Sequence, residues 1–284
     1  FDNAWVYGNA KVYDEAVVYD EAVVCGNAKV YGNATVCDDA KVCGGAEVYD
    51  DAKVYDEAKV SGNAKVYDKA KLYDAAELCG EAKVYGNAKV YDNVRVYDNA
   101  WVYGNAKVYD NAWVYDNAKV YDEAEVSDNA RVFDNAKVYD NAKVHGDAKV
   151  YDFAQVYDKA EVSGKAIVYD NAKVYGNARA LNRAKVCGDT EVCGEAKIYE
   201  DVEVYDNAKV YGDAEVYGGY AEVYGGEAKV YGNAEVYGGE AKVYGSYAKV
   251  YGGEAKVYGG EAKVYGNAEV YDSTEVSGKA KAQR

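Results

Sequence analysis

From Val6 to Val216 every sixth residue is Val, Leu, Ile or Ala, thirty-six units in unbroken phase. The commonest unit is Ala-Lys-Val-Tyr-Asp-Asn, as in Ala106-Lys107-Val108-Tyr109-Asp110-Asn111. A repeat this short makes the 284 residues a stack of near-identical pieces. No six-residue piece can bury its apolar side chains without a copy above or below it. Within the unit, inward Ala and Val alternate with polar Lys and amphipathic Tyr, the period-two pattern of a strand with one buried face. The dipeptide that follows (Asp-Asn, Gly-Asn, Gly-Glu or Gly-Gly) reads as a two-residue corner. Gly and Asn accept left-handed backbone angles there, and Asp can bond nearby amides. Six is not a helical period, and a β-branched Val plus a turn dipeptide in every unit would break a helix. Pro is absent, which suits a backbone whose N–H groups are nearly all committed to a ladder.

Four-residue strands with identical inward pairs cannot bury themselves in a flat hairpin sheet. Winding three units into each turn stacks Val on Val and Ala on Ala. This predicts an all-β fold, a single parallel β-helix (β-solenoid) of about 15 coils, about 70–75 Å tall at ~4.8 Å per coil. The segment Val108-Tyr109-Asp110-Asn111-Ala112 resembles the hexapeptide-repeat pattern of an aliphatic residue, three variable ones and a small one. That likeness runs through essentially the whole chain. It implies a left-handed parallel β-helix, a hand that the usual right-handed crossover preference does not suggest. Of 46 small inward positions 42 are Ala, the exceptions being Val94, Thr190, Val202 and Thr274, so the triangular core has little spare room. Residues 1–216 keep strict hexads. Residues 217–284 continue the same helix with six one-residue expansions at Gly-rich corners, from Gly218-Gly219-Tyr220 to Gly259-Gly260-Glu261. These read as bulged corners, since one extra residue cannot make a substrate lid.

An 18-residue coil turns sequence positions into columns. One face carries Tyr13, Tyr31, Tyr49, Tyr67, Tyr85, Tyr103, Tyr121, Tyr139, Tyr157 and Tyr175. This ladder either stabilises neighbouring strands or forms a flat aromatic face for lateral contact. One corner stacks Asp2, Asp20, Asp38, Asp56, Asp74, Asp92, Asp110 and Asp128, and another run is Asp98, Asp116, Asp134, Asp152 and Asp170. Their repulsion must be offset by corner amides, by the ladder of Lys53, Lys71, Lys89 and Lys107, or by a bound cation such as calcium. No other cofactor is called for. All six cysteines, Cys25, Cys37, Cys43, Cys79, Cys187 and Cys193, replace the outward Tyr. Cys25 and Cys43 stack on neighbouring coils with Cβ atoms farther apart than a relaxed disulfide prefers, so exposed thiols and a strained bridge both fit. A local irregularity groups Trp113, Tyr115, Phe133, Tyr151 and Phe153, with Arg131 beside Trp113, as a candidate docking patch for a protein or sugar.

A net charge of −16 opposes nonspecific attraction to nucleic acid or anionic lipid, leaving room only for a local basic stripe. No apolar run is long enough to span a bilayer. The hexapeptide-repeat resemblance implies, as one option, an acyltransferase that binds coenzyme A or an acyl carrier protein between subunits and depends on a His. This chain has one, His145, in an outward column with Ser127, Ser163 and Leu181. No inserted loop builds an acceptor pocket beside it. The expected function is a non-enzymatic filament or rod-like fibre that stacks end to end with copies of itself. The alternatives are an adhesin or phage-fibre-like binding rod and the acyltransferase. The expected location is extracellular or on the cell surface, or cytoplasmic if the cysteines are free thiols.

Overall fold

The computed structural model describes residues 3–205, 208–211 and 215–217, and the backbone of the strands that follow as far as Glu269–Val270. The expanded corners, Asp2 and Thr274 lie outside the described residues. Every regular element described is a strand, from β1 (Trp5–Val6) to β44 (Glu269–Val270). The chain forms two compact units, Phe1–Asn141 and Ala142–Arg284.

In the first unit the strands form three parallel sheets. Face A starts from β1, face B from β2 (Lys11–Val12) and face C from β3 (Val17–Val18), and each face takes every third strand. Pairing joins residues 18 apart, so that Lys71 lies between Lys53 and Lys89, and Lys89 pairs with Lys107. Three hexads therefore make one coil, as the repeat predicts. The inward residues are sealed: Ala106, Val108 and Ala112 are 0% exposed, as are the larger Leu72, Leu78 and Val94.

Backbone hydrogen bonds join successive coils. Lys107 N donates to Ala124 O (2.9 Å), Tyr109 N to Val126 O (3.0 Å) and Asn111 N to Asp128 O (2.9 Å), each reaching into the following coil. The corners work differently from the expectation. Left-handed backbone falls on the first corner residue, where Gly stands (Gly80, φ 74) or Asp does (Asp74, φ 53; Asp110, φ 60). Asn at the second position mostly escapes that geometry. Its side chain instead runs along the column, as in Asn87 Nδ2 to Asn105 Oδ1 (3.0 Å). A Cβ is normally unwelcome at positive φ, but Asp is one of the few residues whose short polar chain compensates locally.

The second unit repeats this plan through its strict hexads. Its non-Ala small positions, Thr190 and Val202, are inward and 0% exposed. The Thr190 hydroxyl donates to Cys187 O (2.5 Å), so the buried polar atom is satisfied. Past Lys229–Val230 the pairing interval shortens, with Lys242↔Lys256 and Lys249↔Lys263 only 14 residues apart. Strands there alternate between faces A and C.

Candidate functional site

Face B of the first unit carries the tyrosine ladder. From Tyr13 through Tyr31, Tyr49, Tyr67, Tyr85, Tyr103 and Tyr121 to Tyr139, each adjacent pair stacks with centroids 4.8–5.0 Å apart and planes within 3°. In the second unit Tyr157 stacks on Tyr175 at 4.9 Å. Face C adds Tyr55, Tyr73, Tyr91 and Tyr109, at 5.0, 4.9 and 5.2 Å. The coil spacing imposes this geometry, and the rings cover each other's faces and present edges and hydroxyls outward. Burial first, then neighbouring phenols and carboxylates, pushes the phenols up, with Tyr67, Tyr73 and Tyr115 at about 12.

The aspartate column resolves its own repulsion through the backbone. Asp56 Oδ2 accepts Asp74 N (3.3 Å), Asp74 Oδ2 accepts Asp92 N (3.3 Å) and Asp92 Oδ2 accepts Asp110 N (3.2 Å). Asp38 and Asp110 do the same for Asp56 and Asp128. Asp20 shares the left-handed corner geometry (φ 54). Among the described residues no group of three or more His, Cys, Asp or Glu side chains is arranged to hold a metal ion.

Charge pairs also run along columns. On face B Glu47 Oε1 and Oε2 accept Lys29 and Lys65, each at 2.9 Å. The Lys65 bond first, and the Lys29 bond second, hold the Glu47 carboxyl below its ordinary value. A lowered folded pKa means the pair's stabilisation is complete above the ordinary Glu range and is lost as pH falls through the folded value. Glu47→Gln should therefore cost about 0.2–1 kcal/mol at neutral pH. Urea midpoints of wild type and variant should converge on acidification.

Columns also build two cation–aromatic towers. Trp101 lies between Lys83 Nζ (4.6 Å) and Lys119 Nζ (4.7 Å) on face B, with its edge to Tyr85. Trp113 lies between the guanidinium groups of Arg95 (5.1 Å) and Arg131 (4.9 Å) on face A, with its edge to Tyr97. Tyr97, Tyr115 and Phe133 stack beside it at 4.9 and 4.8 Å. The first unit thus brings Trp113, Tyr115, Arg131 and Phe133 together on face A. Sequence reasoning missed Arg95 and the whole Trp101 tower, although counting 18 residues either way from each Trp reveals both. In the second unit Tyr151 stacks on Tyr169 (5.2 Å). Phe153 is 60% exposed at a corner, not on the sheet face.

The cysteines divide. Cys25 and Cys43 form a disulfide with Cα atoms 4.6 Å apart. Of the two readings left open for this pair, the bridge is the one present, and the coil spacing lies inside the usual Cα range for it. Cys37 is free and 7% exposed, enclosed although it points outward. Burial pushes its thiol up to about 11, and a hydrogen bond with that thiol pushes Tyr19 to about 12. Cys79, Cys187 and Cys193 take part in no disulfide. His145 Nε2 lies 3.0 Å from Glu161 Oε1, and Glu161 Oε2 lies 3.5 Å from Arg179 Nε. The imidazole is half-exposed on a sheet face.

Against known proteins, residues 88–104 match the repeat family described as YdcK Beta solenoid repeat. A solved structure of an Arabidopsis UDP-N-acetylglucosamine acyltransferase is similar at 12% identity and a TM-score of 0.35, covering 77% of this chain and 72% of that one. No curated protein matches the sequence.

Proposed function

For a hexapeptide-repeat β-solenoid of this kind, we propose a non-enzymatic structural role, in which copies of the chain stack end to end into a filament. The open coil edge carries this reading. Each coil joins the coils before and after it by parallel strand pairing at one 18-residue register within each unit. A coil of a second copy can join by the bonds that join coils within the chain. Such a contact is head-to-tail and does not close, so it propagates. The described side chains are largely spent on cohesion: phenols on phenols, Asp on amides, Glu on Lys. His145 is tied to a carboxylate that also meets an arginine, which is ordinary surface pairing. The Cys25–Cys43 bridge favours an oxidising location outside the cell. Among the described residues no helix is long and apolar enough to cross a membrane.

Negative-stain microscopy of the purified chain tests this directly. Long unbranched fibres that lengthen with concentration are expected. Discrete particles of one size at every concentration would count against self-assembly.

The second reading, a binding rod that contacts a protein or glycan, draws on the Trp113 cluster. Its indole is held between two arginines with aromatic neighbours, a composition typical of contact hot spots.

A further inference from the structure

We infer that the Cys25–Cys43 disulfide is a redox latch on face A of the first unit, and that its reduction by a dithiol loosens the seam between β4 (Val23–Val24) and β7 (Lys41–Val42). The latch stands on its own geometry; only its effect on assembly rests on the filament reading.

The bridge lies where the side chains of face A offer nothing else to hold one coil to the next. On face B the same two coils are tied three times: Lys29 Nζ donates to Glu47 Oε1 (2.9 Å), Tyr31 stacks on Tyr49 (4.9 Å) and Asn33 Nδ2 donates to Asp51 Oδ1 (3.0 Å). At the corner after face C, Asp38 Oδ2 accepts Asp56 N (3.4 Å). Face A sets Val23 beside Lys41 and Gly26 against Gly44, and the residue one coil on from Asn27 is Gly45, which has no side chain. The next seam, from β7 to β10 (Lys59–Val60), is as bare, with Lys41 beside Lys59 and Gly44 against Gly62. Among the described residues no side-chain hydrogen bond, ion pair or ring stack crosses either seam, so the disulfide is the one side-chain tie in this stretch.

The coil before the latch is poorly covered. Trp5, Val6 and Tyr7 are 65, 48 and 55% exposed, whereas Ala22, Val24 and Val42 are 0%. Sealing of the core begins at the coils the bridge joins, and a stack of nearest-neighbour contacts opens from its least covered coil. The closed bridge makes residues 25–43 a covalent loop of one full turn and holds β4 on β7. Both cysteines are half-buried on the sheet face, within reach of a small dithiol. One thiolate attacks a bridge sulfur, the S–S bond breaks and a mixed disulfide forms; the second thiol then closes a ring and releases the other cysteine. The dithiol loses two electrons and two protons, and Cys25 and Cys43 become thiols. The seam then keeps only its backbone bonds, Val23 N to Ala40 O, Cys25 N to Val42 O and Asn27 N to Gly44 O (2.9, 2.9 and 2.7 Å).

The test is residue-resolved hydrogen exchange on the full chain, oxidised and in excess dithiothreitol. Four thiols should titrate in the unfolded oxidised chain and six after reduction. Reduction should speed exchange at Val23, Cys25 and Asn27 by about tenfold or more, and at Lys29 and Tyr31 by less than about twofold. Cys25→Ser/Cys43→Ser should exchange like the reduced chain without any reductant. Cys25→Tyr/Cys43→Tyr should stay slow in both states, because a stacked phenol pair, as in Tyr97 and Tyr115 on the same face (4.9 Å), replaces the bond. Six thiols before reduction, equal exchange in both states, equal acceleration on faces A and B, or a dithiol response in the Tyr pair overturns the latch. In microscopy, dithiothreitol should shorten wild-type fibres and leave those of the Tyr pair intact; wild-type fibres unchanged by reduction overturn the effect on assembly. Absence of fibres from the oxidised chain overturns the filament reading and leaves the exchange result to decide the latch.

Discussion

Raising the pH from 10 to 12 should unfold the strict-hexad coils, with phenolate absorbance and loss of β-structure appearing together. Free phenols ionise at 10.0, whereas burial and neighbouring charges hold Tyr67, Tyr73, Tyr91 and Tyr115 at about 12, and raise Tyr49 and Tyr121 further. The direction of the effect follows from proton counting. Below pH 10 folded and unfolded chains both keep their phenolic protons, so the shifts contribute nothing. Between the unfolded and folded values the unfolded chain has released protons that the folded chain still holds, and stability falls with every increment of pH. Each ring is partly exposed, so solvent screening reduces the effect per residue well below a full conversion of its shift. The ladder compensates by number, since these raised phenols all push the same way and each phenolate raises the cost of the next. Tyr67→Phe/Tyr73→Phe/Tyr91→Phe/Tyr115→Phe should move the alkaline midpoint upward, because Phe keeps the stack and removes the ionisation. If phenolates instead appear near pH 10 while circular dichroism stays native, the rings are not packed as described.

The columns were legible because a fixed hexad leaves few ways to bury Ala and Val together. Once Val108 must lie over Val90 and under Val126, Tyr91, Tyr109, Asp92 and Asp110 follow at the same register. What the alternation of residue types does not specify is choice within a column. Whether the residue flanking a lysine is another lysine, a glutamate or a tryptophan changes no inward contact. Those outward positions decide between the Glu47 clasp, the Trp101 tower and the bare Lys53–Lys71–Lys89 row. The corner was misread for a related reason. Asn and Asp share a turn preference in composition, and only the backbone shows that Asp takes the left-handed place while Asn bonds along the stack. The 14-residue strand pairing of Lys242 with Lys256 and of Lys249 with Lys263 was also hidden, because the alternation of residue types stays the same there. Function was the least legible level. A repeat this regular gives its periodic residues structural duties first, and a site shows only where that duty is left unfilled.

Ala106→Leu should be among the most damaging single substitutions in the first unit. Ala106 is 0% exposed and lies in a column with Ala88 and Ala124, both equally buried. Its backbone is held from two sides: its carbonyl accepts Lys89 N at 2.9 Å, and its amide donates to Tyr103 O at 3.4 Å. The coil therefore cannot swing outward to admit three more carbons without breaking ladder bonds. Overpacking a tight core typically costs about 1–3 kcal/mol and sometimes more, and the upper end is expected where the wall is backbone. Ala106→Val should cost less, since Val94 already occupies the same kind of inward position at 0% exposure between Ala76 and Ala112. In a stack of nearest-neighbour contacts the damage stays local. Hydrogen exchange should then speed up in the coils containing Ala88, Ala106 and Ala124 before it does elsewhere in the unit. A Leu variant with the wild-type urea midpoint and unchanged exchange would mean that these alanines do not line a closed core.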